Sequence, residues 1–391
     1  MALSLNIWNV ALVLGAGQGI FLAGFLILHK INRTANRFLA IFLAIAAVII
    51  TAPEIARSYH AVFPHLIGST FTINFLLGPM LFFYVQSLST GAFAWQRRRL
   101  LHFLPFLVCT FYLLPFYLHG GDYKRAFFRR VIAEGLPGDF IIIWGLACLH
   151  VIAYFYVTLR LTKQHSQKVM HTFSSIEKIN LAWLRHLTIG SACIWTVYLG
   201  AFILHVFKIE IDPYGKLDYI FGYAMSVLTY AIGYKGLKQP EIFSGNGAAL
   251  ITSLNGKKYE RSGLAPERAE EYVEKLIQFM EKEKPFKNAE LTLPELAARL
   301  AFSPNHLSQI INDNLGQSFF DFVNAYRVKE AQKALHDPSN RNLTILAIAY
   351  DAGFNSKSTF NTVFKKHARM TPSQFKKRFD HTRSDDSPDL N

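Results

Sequence analysis

Over the first 240 positions apolar residues come in long blocks; beyond them they become short, regularly spaced positions among polar ones. Seven blocks, roughly 7–28, 38–56, 66–88, 100–119, 139–160, 186–207 and 218–236, approach the ~20 apolar residues that a helix needs to cross a bilayer. Runs of this kind, repeated with short loops, point to lipid rather than to a soluble core. Pro79, Pro105 and Pro115 fall inside blocks and predict kinks, which lipid-buried helices tolerate where neighbours re-satisfy the backbone. Residues 239–264 hold Pro240, Gly245, Gly247, Gly256 and Gly263, the composition of a linker. In "PERAEEYVEKLIQFMEKEKP", Ala269, Val273, Leu276 and Met280 step by 4, 3 and 4, giving one apolar stripe on a charged helix. The stripe serves either a homodimer, as a short parallel coiled coil through 265–284, or packing on a neighbouring domain of the same chain.

From Leu291 the periodicity predicts one supersecondary unit twice. In "LTLPELAARLAFSPNHLSQIINDNLG", Thr292 and Glu295 have capping-box spacing and Pro294 sits in the first turn. Leu296, Ala297 and Leu300 make one apolar face; Ser303 and Pro304 open a second helix, whose Leu307, Ile310 and Ile311 face inward until Gly316. In "LTILAIAYDAGFNSKSTFNTVFKKHARMTPSQFKKRF", Thr344 caps the first helix and Gly353 makes the turn. Phe360, Val363 and Phe364 form the buried face of the second helix. Each pair is a helix-turn-helix. Between them "SFFDFVNAYRVKEAQKALHD" is helical, and its ~20 residues span about 30 Å, near one DNA turn of ~34 Å.

The fold class expected is therefore all-α: a polytopic membrane bundle of about seven spans plus an all-helical double helix-turn-helix domain. The expected divisions are a membrane-embedded domain at 1–238, a linker and coupling helix at 239–288, a DNA-binding domain at 289–380 and a disordered tail at 381–391.

Charge refines this picture. The formal net charge is +14, yet Lys and Arg outnumber Asp and Glu by 20 to 8 in residues 1–240 and only by 13 to 11 in residues 289–391. Overall charge says little about DNA. A local stretch does: residues 356–379 hold seven Lys and Arg and no acid, the footprint of phosphate binding. In the membrane half, the 1–2, 3–4 and 5–6 loops are basic, which puts the N-terminus outside and the C-terminus in the cytoplasm. Loop 119–138, with Lys124, Arg125, Arg129 and Arg130, runs against that orientation. Cys109, Cys148 and Cys193 lie in apolar runs without CxxC spacing, so neither a zinc site nor a disulfide framework is expected. No metal or cofactor motif and no catalytic constellation stands out.

The blocks "LAARLAFSPNHLSQIIN", "FFDFVNAYRVKEAQKAL" and "IAYDAGFNSKSTFNTVFKKHARMTPSQF" resemble, in order and spacing, the AraC/XylS family of bacterial regulators over about a quarter of the chain. The resemblance implies promoter DNA as partner and a site in the bacterial inner membrane for a form whose soluble sensor is replaced by membrane helices. Two positions depart from the family's pattern, Arg369 and Ala301, where members commonly carry Gly.

The outward set on the first recognition helix is expected to be Asn305, His306, Ser308, Gln309 and Asn312, able to pair with base edges. On the second it is Ser356, Lys357, Ser358, Thr359, Asn361 and Thr362, with Lys365 and Lys366 behind them as phosphate contacts. Polar residues within apolar blocks are candidates for a signal-ligand pocket: Glu54, Arg57, Asn74 and Asp218. Three readings of the membrane half stand side by side: a one-component sensor, a transporter or enzyme with a regulatory tail, and a constitutive anchor in the lipid bilayer.

Overall fold

A computed structural model describes residues 7–90, 93–177, 179–209, 216–239 and 266–384. Among them the chain is helical, with a lone bridge between Phe173 and Thr292. It divides into two compact units. The first holds residues 1–165 and 181–243; the second holds 166–180 and 244–391.

The first unit contains α1 (Ile7–Leu28), α2 (Arg33–Tyr59), α3 (Thr70–Thr90), α4 (Leu104–Tyr112), α5 (Leu114–Leu118), α6 (Gly121–Glu134), most of α7 (Gly138–Thr172), α8 (Ala182–Val206) and α9 (Lys216–Leu237). Helix α2 packs on α1, α3 and α9, and buries Leu39, Leu43 and Ala46 completely or nearly so. Gly15 and Gly19 of α1 serve that packing: a Cβ on Gly15 would lie 2.6 Å from Ser226 Oγ of α9, and one on Gly19 would touch the Leu43 carbonyl of α2. This small-xxx-small pair therefore lets helices of one chain approach.

Five of the described helices are long and apolar enough to cross a membrane: α1, α2, α3, α7 and α8. The block at 100–119 is divided among a 3₁₀ turn at Arg97–Phe103, α4 and α5. Pro105 and Pro115 each stand in the first turn of a short helix, so here proline starts new helices rather than kinking one. Pro53 and Pro79 lie inside α2 and α3, which continue through them. Helix α9 keeps Lys216, Asp218 and Lys235 along its 22 residues. Loop 119–138, expected as a connection, forms α6.

The second unit contains α10 (Pro266–Glu283), α11 (Leu293–Leu300), α12 (Pro304–Gln309, continued by a π turn over Ile310–Asn314), α13 (Phe319–His336), α14 (Ile345–Asp351), α15 (Lys357–Ala368) and α16 (Pro372–Ser384). It has two cores. One joins Leu276 and Met280 of α10 with Leu296, Leu300, Leu307, Ile310, Ile311 and Phe322. The other joins Val328 and Ala331 of α13 with Ile348, Phe354, Phe360, Val363 and Phe364. Leu276 and Met280 of the α10 stripe are thus buried in its own domain, with Val273 packed against the same core. Helix α16 carries the fold to Ser384, past the expected start of the tail. The remainder of that tail and nearly all of the 239–264 linker lie outside the described residues.

Candidate nucleic-acid interface

Four side-chain caps set the geometry of the two helix-turn-helix units. The hydroxyls of Thr292, Ser303, Thr344 and Ser356 accept hydrogen bonds from the backbone N–H of Glu295, His306, Ala347 and Thr359, at 3.3, 3.2, 3.1 and 3.4 Å. Each satisfies one donor that a helix N-terminus leaves orphaned. The Thr292 cap forms as its spacing predicts, but the Glu295 carboxylate accepts from Asn288 Nδ2 at 3.2 Å.

The turns need left-handed backbone. Ala301 ends α11 at φ 57°, Arg369 ends α15 at φ 60°, and Gly353 lies between α14 and α15 at φ 97°. The two positions that depart from the resembling family's glycine pattern are therefore held in the conformation glycine prefers. Gly353 is constrained twice, because a Cβ there would lie 2.3 Å from the Phe286 carbonyl oxygen.

Asn305 is exposed, while His306, Gln309 and Asn312 are half-buried. Ser308 is buried: it faces inward rather than outward, and its Oγ accepts from Asn312 Nδ2 at 3.0 Å. On α15, Lys357, Ser358, Asn361, Thr362 and Lys365 are exposed. Ser356 and Thr359 are half-buried and joined to each other by the cap. Thr362 Oγ1 donates to the Ser358 carbonyl at 2.9 Å. Lys366 is exposed, yet its Nζ lies 2.7 Å from Asp321 Oδ1. A stretch without acids in the sequence thus meets one in space, and one of its cations is partly neutralised by α13. Lys376 Nζ donates to the carbonyls of Arg341 and Leu343, a contact between residues more than thirty positions apart that local pattern does not reveal.

Beneath this surface, Arg327 of α13 is 1% exposed. Its Nε donates to the Phe286 carbonyl at 2.8 Å, and its Nη2 to the Asn288 carbonyl at 2.8 Å and Ser174 Oγ at 3.0 Å. Its Nη1 donates to the Ser174 carbonyl at 3.0 Å and to Asn324 Oδ1 at 3.2 Å. All five guanidinium N–H groups can be used this way. Burial lowers its pKa to about 10, with nearby Glu177 acting in the opposite direction, so it remains a cation at neutral pH.

In the first unit, Glu54, Arg57 and Asn74 line one cavity of about 320 Å³, together with Phe71, Trp195 and Tyr219. Glu54 accepts from Tyr219 OH at 2.9 Å and from Ser58 Oγ at 3.1 Å, and Arg57 Nη1 lies 3.5 Å away. Asn74 Oδ1 and Trp195 Nε1 are buried without hydrogen-bond partners. The aromatic wall and Tyr219 were not foreseen, since they come from helices far apart in sequence. Asp218 belongs to α9, but its side chain is outside the described residues.

Residues 296–378 match the family model described as "Helix-turn-helix domain". The chain is 32% identical over 108 residues to "Probable transcription factor PqrA" of Proteus vulgaris, covering 28% of this chain and 85% of that protein. It is 31% identical over 85 residues to "HTH-type transcriptional regulator Rv1931c" of Mycobacterium tuberculosis, covering 22% of this chain and 32% of that one. It is also 32% identical over 90 residues to "Uncharacterized HTH-type transcriptional regulator YtdP" of Bacillus subtilis, covering 23% of this chain and 11% of the relative. No solved structure matches the chain. With two capped helix pairs on one connecting helix, and with these relatives, the chain belongs to the AraC-type helix-turn-helix transcription regulators.

Proposed function

We propose that this protein is a membrane-bound, sequence-specific regulator of transcription that reads two successive major-groove segments and answers to a small molecule held by its membrane helices. The observation that carries the DNA-reading part is the pairing of α12 and α15 through α13. That helix has 18 residues, about 27 Å at 1.5 Å per residue, suited to setting two recognition helices one duplex turn apart. Asn305, His306, Gln309 and Asn312 serve as polar readers, and Lys357 and Lys365 serve as phosphate contacts.

Five helices of spanning length support the membrane part, as does the exposure of Leu14, Phe21, Phe25 and Leu28 along α1. Hydrogen bonds join loop residue Ser174 to Arg327 and Asn324, which supports placing the basic 5–6 loop and the C-terminal domain in one compartment, the cytoplasm. The cavity at Glu54 suits a small, largely apolar ligand with a polar group: an aromatic wall, an acid with its partners, and two unsatisfied polar atoms.

The test is chromatin precipitation with sequencing on the tagged protein in its native host. Enrichment at discrete sites with two half-sites about one helical turn apart is expected; absence of site-specific enrichment overturns the reading. Tyr219→Phe and Glu54→Gln are expected to alter the transcriptional response of those promoters, and an unaltered response to every stimulus removes the pocket from the mechanism.

A further inference from the structure

The second unit is discontinuous in sequence. Residues 166–180, the end of α7 and the loop after it, belong to it although they stand some sixty residues before the linker. Helix α7 has 35 residues, about 52 Å, whereas ~20 suffice for the hydrocarbon core. Its last two turns are surplus to spanning.

This segment lies along both helix-turn-helix units and the helix between them. At the first unit, Phe173 bridges to Thr292, Ser174 Oγ donates to the Leu291 carbonyl at 2.7 Å, and His171 Nδ1 lies 3.0 Å from Asn312 Oδ1. At the connecting helix, the Ser174 carbonyl accepts from Arg327 Nη1 at 3.0 Å and Asn324 Nδ2 at 3.1 Å, and both partners are fully buried or nearly so. At the second unit, Asn355 Nδ2, just ahead of α15, donates to Ser175 Oγ at 2.7 Å. Met170 and Ile176 pack against the second core.

Ser174 alone supplies two of the five acceptors around a buried guanidinium. Without it, two N–H groups of a buried cation and one Asn324 bond lose their partners, which is among the costliest defects a protein interior can carry. We infer that residues 166–180 are a strap whose seating locks the two helix-turn-helix units into the register needed for two-segment DNA binding, so that movement of α7 is relayed to DNA affinity through the strap. The inference rests on the DNA-reading function proposed above. It also differs from coupling through α10, within the linker and coupling helix expected at 239–288, whose Leu276 and Met280 join only the first core.

The test uses the full chain in lipid nanodiscs. Ser174→Ala removes the hydroxyl contacts of the seat to Arg327 Nη2 and the Leu291 carbonyl, and Ser175→Ala, which makes no hydrogen bond to the guanidinium, removes the contacts to Asn355 and Glu177. Hydrogen exchange is read at residues 286–291 and 324–327, and affinity is measured on duplexes with both half-sites or with one. Expected results are exchange about tenfold faster in Ser174→Ala, and binding to the double site weakened about tenfold in Ser174→Ala and several-fold in Ser175→Ala. Single-half-site binding is expected to change less than about twofold in both. Unchanged exchange overturns the seat; faster exchange with unchanged double-site affinity overturns the relay; equal loss on both duplexes overturns the register argument. If the wild-type chain binds no specific DNA, the regulator reading fails while the exchange arm still reports on the seat.

Discussion

Single positions show what this domain asks of its residues. Ala301 holds a left-handed conformation that costs a non-glycine residue about 1–2 kcal/mol, partly offset because glycine adds roughly 0.4–1 kcal/mol of unfolded-state entropy. Ala301→Gly is therefore expected to stabilise the C-terminal unit by up to about 1 kcal/mol in urea denaturation, and a loss of stability would refute the strain. Gly353→Ala meets both the backbone angle and the Phe286 carbonyl, so it is expected to destabilise by more than about 1 kcal/mol. Lys365 is exposed in a basic stretch, so Lys365→Ala is expected to weaken binding on all DNA sequences and to reduce the salt slope by about one. A mutant with unchanged salt dependence would remove Lys365 from the phosphate contacts. Burial tends to raise the Glu330 pKa, but hydrogen bonds from Lys284 and Lys287 outweigh it and hold the carboxyl below its ordinary value. A depressed carboxylate contributes stability that is fully present above its unfolded pKa and is lost as pH falls through the folded one. Acid titration of stability is thus expected to show a loss beginning near pH 4.5 that Glu330→Gln lacks.

Among the elements, the helix caps and the α10 stripe set the stability of the C-terminal unit. Ser303→Ala leaves the His306 N–H without its cap and is expected to cost about 1 kcal/mol. Leu276 is fully buried in the first core, so Leu276→Ala is expected to cost about 2–5 kcal/mol in the same denaturation experiment. If the stripe instead joined two chains, Leu276→Ala would change the oligomeric state with little loss of monomer stability, and sedimentation distinguishes the two outcomes. The broken block at 100–119 has a local cause: each proline lacks the N–H that a continuing helix would bond, and two prolines ten residues apart leave two short helices.

At the scale of the whole molecule, the proposed arrangement makes one chain both receiver and effector. Reporter fusions give the check: a C-terminal fusion is expected to be active as a cytoplasmic reporter and an N-terminal one as a periplasmic reporter. Activity of the C-terminal fusion on the outer side would remove the protein from contact with DNA.

Much of this was legible in the chain. Period-3.6 apolar positions gave both helix pairs, because Leu296, Leu300, Leu307 and Ile311, and later Phe360, Val363 and Phe364, each lie on one helix face whatever surrounds them. Ser, Thr, Pro and Gly marked the caps and turns, since capping is decided within four residues. The long apolar blocks were equally plain, being a matter of composition. What the tertiary structure decided concerns pairs distant in sequence. The inward turn of Ser308, the capture of Lys366 by Asp321 and the aromatic wall around Glu54 depend on which helices come to lie together. So does the inclusion of residues 166–180 in the double helix-turn-helix domain, which was expected from residues 289–380 alone. Its buried Arg327 takes two of its five acceptors from Ser174, because a buried cation must find every partner within reach in space, wherever the sequence keeps them.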